Sequence, residues 1–259
     1  ADNRVDESGR GTLAFRWEFE RVLERGFGAA TMCYYDLYPD RPDGFENSIM
    51  RMFYTPEQWN SPERETGSIS AWAWGIQRAI DCLCTQAELD PGKIIVHGHS
   101  RLGKTALWAG ANDPRIALTV SNCSGTCGAK LAHRYYGENF EWINHWNPHW
   151  LRASFDQYTG KDAELPIDQH FLMAAIAPRL LYVASAENDL YADPKGEFLA
   201  AFHASPSWKI FGKRGLDSAE FPPPGQWIGN QVGYFLRSGE HSFLPENWDA
   251  LLDFTCARL

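Results

Sequence analysis

Hydrophobic positions along the chain fall into two alternating rhythms. Residues 12–26 (TLAFRWEFERVLERG) carry apolar side chains at helical spacing and stop at Gly26, which predicts a helix. Residues 28–35 (GAATMCYY) are a short apolar run and predict a buried strand. Pro, Gly, Asp and Asn cluster through residues 36–66, predicting a long surface excursion. Residues 68–86 predict a helix, with Ser68 or Ser70 as its cap. Residues 91–100 (PGKIIVHGHS) read as a turn and a short buried strand, and 103–111 as a helix. Fully buried strands are expected at 116–122 and 179–185, and helices at 168–177 and 194–204. A strand at 231–239 leads into a loop before a closing helix at 247–259, while 221–226 (FPPPGQ) is a Pro-rich loop. Strands alternating with helices predict the α/β class: one mostly parallel sheet covered by helices on both faces.

The length of 259 residues suits a single domain with a sizeable core, over residues 1–259. With 44% apolar and 22% charged residues the composition is that of a globular protein, and a formal charge of −9 argues against nucleic acid as a partner. No apolar run has the length of a membrane span, so no membrane partner is expected. Six cysteines are too sparse for a disulfide scaffold. Cys82 and Cys84 do not face each other on a helix. Cys123 and Cys127 are a candidate local disulfide, with the other four more or less buried thiols. Eleven tryptophans suit core packing and surface anchoring, and some could line a sugar cleft.

The sharpest chemical signal is residues 94–111 (IIVHGHSRLGKTALWAGA), where a buried strand runs through Gly98-His99-Ser100 directly into a helix. That is the setting of a nucleophile elbow: a tight turn lifts the Ser hydroxyl clear of the sheet, and helix N–H groups wait for an oxyanion. The second glycine, Gly103, stands three residues after Ser100 instead of two, which weakens the generic motif. The competing reading is a Ser that merely caps the helix. A nucleophilic Ser requires a base and an orienting acid, which in this fold follow it in the order acid, His. His97 lies in the strand and His99 adjoins the Ser, so neither reaches it easily. His145 and His149 have metal-like spacing, but Pro148 breaks a regular helix and no HExxH is present, so neither a metal nor a cofactor is expected. His170 and His203 fall in helical patterns and read as structural. His241 lies just past the last strand in a Gly-flanked loop, where the fold keeps its base; Glu187, Asp189 and Asp193 follow the 179–185 strand as acid candidates.

These residues resemble the glucuronoyl esterases (carbohydrate esterase family 15), in particular their bacterial branch. GHSRLGK (98–104) resembles the Ser-Arg-x-Gly-Lys signature, and SNCSGTCGA (121–129) stands where the family has a Gly-rich segment. RYYGENF (134–140) resembles its Phe-Gly-Glu segment, ASAENDLYADPKGEF (184–198) the next, and GYFLRSGEHSF (233–243) its histidine loop. The resemblance runs from about residue 10 to the end and implies an α/β-hydrolase fold. It implies a secreted or periplasmic, monomeric serine esterase that cleaves the ester between 4-O-methyl-glucuronic acid of glucuronoxylan and lignin alcohols. Carried over, Ser100 is the nucleophile, His241 the base, and Arg101 the oxyanion stabiliser through backbone and guanidinium. Lys104 and Glu138 would hydrogen-bond uronate hydroxyls, their alternative being a surface ion pair. Tyr191 stands where the family usually has a sugar-contacting Trp.

Two departures stand out. Cys123 occupies the place where the family often has its acidic Glu, so the acid must come from the later loop. Asp189 is favoured there over Glu187, because relatives with a late acid carry it two residues before the sugar-contacting position. Only one predicted strand, 28–35, precedes the nucleophile strand where the fold usually has four. The domain is therefore expected to be N-terminally incomplete, with an uncovered sheet edge beside 28–35. One rival is an acetyl-xylan or other carbohydrate esterase on the same scaffold, which would share the triad without needing Arg101 and Lys104 for a uronate. Another is a non-catalytic carbohydrate-binding protein, which would tend to have lost the Ser or the His.

Overall fold

The apolar runs after residue 90 become adjacent strands of one sheet. The computed structural model describes residues 7–61 and 66–259. Its strands are β1 (Ile94–His99), β2 (Ile116–Asn122), β3 (Leu180–Ala186), β4 (Trp227–Gly229) and β5 (Val232–Arg237), ordered β1-β2-β3-β5-β4. The first four in that order run parallel, and β4 closes one edge antiparallel to β5. The helices are α1 (Phe19–Glu24), α2 (Pro56–Trp59), α3 (Ser68–Leu83), α4 (Arg101–Asn112), α5 (Phe140–Trp146), α6 (Gln169–Ala174), α7 (Pro194–Ala204), α8 (Pro206–Lys209) and α9 (Pro245–Cys256).

Alternation along β3 shows why its sequence is apolar throughout. Leu181 and Val183 pack into a core with Met173 of α6, Phe198 and Ala201 of α7 and Leu107 of α4. Leu180, Tyr182 and Ala184 point to the opposite face and meet Leu251 and Phe254 of α9. Side chains on successive strand residues face opposite ways, so a strand sandwiched between helix layers has no polar face to show. The expected α/β architecture follows, with Ser100, Cys123, Asp189 and His241 all in segments that leave the carboxyl ends of β1, β2, β3 and β5.

The N-terminal third departs from expectation. The 12–26 helix reduces to a 3-10 turn at Ala14–Arg16 and the short α1, with Gly26 at φ +82° ending it. The strand at 28–35 does not form: the run is largely exposed, and a 3-10 turn begins at Tyr34. A short apolar run fits a buried strand or a segment packed on a helix equally well; here Tyr34 lies edge-on to Trp72 of α3 at 4.9 Å. Among the described residues β1 is the first strand and pairs only with β2. The 36–66 excursion, of which 62–65 lie outside the described residues, is not merely surface. Tyr38, Phe45 and Met50 are buried against Trp72 and Ile69 of α3, with Trp150.

Other corrections are local. The cap of α3 is Gly67, not Ser68 or Ser70. A Cβ on Gly67 would lie 2.1 Å from the Trp150 carbonyl, while Ser68 N–H donates to the His149 carbonyl at 2.8 Å, so a backbone crossing selects glycine there. All six cysteines are free thiols, and Cys33, Cys82 and Cys256 are exposed. The expected Cys123–Cys127 disulfide is replaced by two separate packings: Cys123 faces Asp189, and Cys127 packs against the aromatic cluster around Trp72. The short elements β4, α5 and α8 carried too few residues to show a period.

Candidate active site

β1 delivers its chain into the elbow with little freedom. A Cβ on Gly98 would sit 1.8 Å from the Leu102 carbonyl oxygen, so only glycine lets α4 start this close to the strand. Ser100 takes φ 59°, ψ −129°, a conformation that costs a residue with a Cβ about 1–3 kcal/mol. Its side chain makes no capping hydrogen bond, which removes the helix-cap reading and leaves the hydroxyl for other use. The N–H groups of Arg101 and Leu102 have no acceptor behind them in the helix and form a positive pole beside Ser100.

The loops after β3 and β5 bring the other two groups together. His241 Nδ1 lies 2.6 Å from Asp189 Oδ2, across 52 residues of sequence. A carboxylate only accepts, so Nδ1 carries the proton and Nε2 keeps its lone pair. Burial pushes the Asp189 carboxyl up, but hydrogen bonds from His241, Ala192 N–H and Cys123 outweigh it and hold the group below its ordinary value. The two loops are stitched by Glu187 N–H to the Arg237 carbonyl at 2.8 Å and Asn188 N–H to the Gly239 carbonyl at 3.0 Å. The buried Arg237 guanidinium donates to the carbonyls of Ser238 and Glu240, which shapes the turn carrying His241.

The remaining acid candidates face elsewhere. Glu187 is exposed and lines a cleft of about 560 Å³ with Lys195, Phe221 and Pro222. Asp193 is paired with Arg134 at 2.7 Å. Cys123 is buried with φ 46°, and its sulfur, an Asp189 oxygen and a His241 nitrogen all lie within 4.8 Å of one another. Burial and the nearby carboxylates Glu197 and Asp189 push its thiol well up, so it stays protonated and serves Asp189 as a hydrogen-bond donor. His99, set aside in the sequence for lack of reach, packs its ring 4.5 Å from that of His241 and bonds Asn122 Oδ1 through Nδ1 at 2.6 Å. Burial and the neighbouring His241 lower it to about 4, so it adds no charge beside His241 at neutral pH.

Arg101 is positioned by a residue that sequence reasoning missed. Asp40, from the 36–66 segment, has a fully buried side chain that accepts from the Arg101 guanidinium, from His149 Nε2 at 2.8 Å and from Trp150 Nε1 at 2.8 Å. Burial pushes the carboxyl up, but the donors from His149, Trp150 and Arg101 win and hold it at about 2. The guanidinium also lies over the Trp150 ring at 5.0 Å. No motif marks Asp40; only the folding of the excursion onto α3 brings it to the elbow. His149 is thereby a structural donor to a carboxylate, and His145 is exposed.

Lys104 is buried, not on the surface. Its ammonium donates to the carbonyls of Ser124 at 2.7 Å and Thr126 at 2.5 Å and to Glu138 Oε2 at 2.7 Å. Three N–H groups with three acceptors leave none for a sugar hydroxyl, which corrects the expectation of direct contact by Lys104. Glu138 is buried with its second carboxylate oxygen uncommitted to Lys104, and its N–H donates to the Tyr191 carbonyl at 2.7 Å. Tyr191 is half exposed at the rim.

A second buried carboxylate braces the site from below. Glu197 accepts from the N–H groups of Ser124 and Gly125 at 2.6 and 3.0 Å and from the Ser185 hydroxyl at 2.6 Å, holding the turn after β2. Burial raises it to about 7, against the pull of those donors. The folded state thus keeps a proton that the unfolded chain releases near 4.5. This contribution to stability is full below about 4.5 and is lost as pH rises through about 7. Melting temperatures measured from pH 5 to 8 should therefore fall more steeply for the parent protein than for Glu197→Gln. Parallel curves would show that Glu197 does not titrate in this range.

Comparison with known proteins gives a consistent picture. A family profile described as "Glucuronyl esterase, fungi" matches residues 52–212. A carbohydrate esterase, MZ0003, from an unknown prokaryotic organism is 43% identical over 253 residues, covering 97% of this chain and 58% of its own length. The 4-O-methyl-glucuronoyl methylesterase of Podospora anserina is 41% identical over 128 residues, covering 45% of this chain and 26% of that protein. Among solved structures, a glucuronoyl esterase from Solibacter usitatus superposes with a TM-score of 0.94 at 42% identity, over 99% of this chain and 66% of that one. The chain thus spans somewhat under two thirds of the first of these relatives, and the shared architecture is the α/β-hydrolase fold.

Proposed function

The chain belongs to the glucuronyl esterase family, and from that premise we propose that it is a serine carboxylesterase cleaving esters of 4-O-methyl-glucuronic acid on glucuronoxylan. The observation that carries this reading is the 2.6 Å contact of His241 Nδ1 with Asp189, with the His241 ring 4.5 Å from that of His99, the neighbour of an elbow Ser whose hydroxyl caps nothing.

In the proposed reaction Ser100 Oγ attacks the ester carbonyl carbon while His241 Nε2 takes its proton. Asp189 holds Nδ1–H and balances the imidazolium that forms. The negative charge on the carbonyl oxygen meets the Arg101 N–H at the helix start and the guanidinium held in place by Asp40. Collapse expels the alcohol, which takes the proton from His241 and leaves the uronoyl group on Ser100. Water, deprotonated by His241, then attacks the acyl carbon; the bond to Ser100 Oγ breaks, Oγ takes the proton back from His241, and the uronic acid leaves. Glu138 accepts a hydrogen bond from a ring hydroxyl, and Lys104 acts through Glu138 by fixing its carboxylate. Tyr191 borders the sugar with a phenol. A glucuronoxylan ester as substrate goes with an enzyme acting outside the cytoplasm on lignin–carbohydrate polymer, and we take it to act as a monomer.

The test compares methyl glucuronate with a nitrophenyl acetate. A preference for the uronate supports the reading; hydrolysis of the acetate alone would favour a general acetyl esterase. Glu138→Ala should raise KM for methyl glucuronate about tenfold, since a buried hydroxyl partner left unpaired costs about 1–3 kcal/mol. Lys104→Ala should do the same by releasing Glu138, while Lys104→Met with Glu138→Gln should recover part of the fold stability without the binding. An equal loss on the acetate ester in both single variants would assign the pair to structure alone.

A further inference from the structure

Three exposed aromatic rings form a row that starts at the sugar end of the site. Tyr191, tied through its carbonyl to Glu138, meets Trp142 edge-on with centroids 5.9 Å apart and planes at 87°. Trp142 and Trp146 are four residues apart on α5 and present nearly parallel rings, 6.2 Å apart at 27°. Tyr191, Trp142 and Trp146 are 49%, 47% and 61% exposed, whereas Trp72, Trp150 and Trp208 are buried in the cores. Packing therefore does not account for these two indoles, and contiguous exposed rings of this kind mark a binding surface. The platform beneath them is firm: Phe140 and Ile143 of α5 are buried, Asn139 caps the helix, and Phe140 N–H donates to Asp162 at 3.0 Å.

We infer that Trp142 and Trp146 extend the site from Tyr191 as a subsite for the neutral pyranose chain that bears the uronate. The inference rests on the proposed esterase reading for the placement of the uronate. The row meets the site at Glu138, whose N–H donates to the Tyr191 carbonyl and whose carboxylate is assigned to ring hydroxyls. It therefore meets glycan and not the ester alcohol. The C–H faces of sugar rings stack on indole faces, and the steps between rings are comparable to one sugar residue. Glu141, exposed on the same helix, offers an acceptor to hydroxyls and disfavours a polyanion.

The test uses the double variant Trp142→Ala/Trp146→Ala, with its melting temperature measured to confirm folding. Two substrates are compared: the methyl ester of glucuronic acid carried on xylotriose or a longer xylo-oligosaccharide, and the methyl ester of the monosaccharide. The parent protein should prefer the longer substrate about tenfold in kcat/KM, at several-fold per stacked ring. The double variant should lose that preference and hydrolyse the monosaccharide ester unchanged. A preference that is absent in the parent, or survives in the variant, overturns the inference. A loss confined to benzyl over methyl esters would also overturn it, by assigning the row to an aromatic alcohol. If the parent hydrolyses no glucuronate ester, the esterase reading falls, and the row is judged by quenching of tryptophan fluorescence with the unesterified glucuronoxylo-oligosaccharide. Quenching in the parent and not in the variant upholds the subsite; none in the parent overturns it.

Discussion

Ser100→Ala should abolish hydrolysis of methyl and benzyl glucuronate, lowering turnover by roughly 10⁴–10⁶ while leaving the protein folded. The fold should tolerate the change because alanine keeps the Cβ, so the unusual backbone at φ 59° is neither more nor less strained. The lost hydroxyl supports no helix cap, so the melting temperature should not move. A fluorophosphonate probe should label the parent at Ser100 and leave the variant unlabelled. These outcomes separate the esterase from a carbohydrate-binding protein that retains the scaffold, since a binding protein would be labelled in neither form. Full turnover in the variant would sink the catalytic assignment of the elbow.

Asp189→Asn should cost about 10⁴ in turnover, the scale expected when an orienting carboxylate is lost and the wrong imidazole tautomer is populated. The side chains are isosteric, so the loop after β3 keeps its bonds to the loop carrying His241. Glu187→Gln should stay within about twofold of the parent, because that side chain opens onto a separate cleft. A reversed result would move the acid to Glu187. Cys123 adds a control. Its protonated thiol hydrogen-bonds Asp189, so Cys123→Ser should retain most activity. Cys123→Ala removes that donor and leaves His241 and Ala192 N–H to hold the carboxylate. Its turnover should fall several-fold, far less than in Asp189→Asn.

The contrast between these residues shows where local sequence stops carrying information. β1, β2, β3, β5 and the long helices α3, α4, α7 and α9 are legible because each buries a period of apolar residues long enough to tell helix from strand. Runs too short for a period, such as 28–35 and β4, are decided by what lies beside them. The elbow was legible as well: glycine, a buried strand and an immediate helix leave few conformations for Ser100. Fold order alone pointed to His241, and the step to Asp189 used the resemblance of its loop to a family.

Tertiary structure decided everything that depends on distant chain segments meeting. Asp40 reaches Arg101 only because the excursion before α3 buries Tyr38 and Phe45 on Trp72; Asp40 itself lies 109 residues ahead of the His149 that shares its carboxylate. Lys104 and Glu138 read as a surface ion pair or as two sugar ligands, and the fold makes them a buried pair with every ammonium proton spent. The cysteines gave spacing but no geometry, and the turn after β2 aims Cys123 at Asp189 instead of Cys127. By itself the sequence determined the periodicity of the sheet and helices and the elbow at Ser100, since these depend on neighbours within a few residues. The partners of the charged groups were left to the tertiary structure, because a buried charge is fixed by whichever donors the folded chain brings within hydrogen-bond distance.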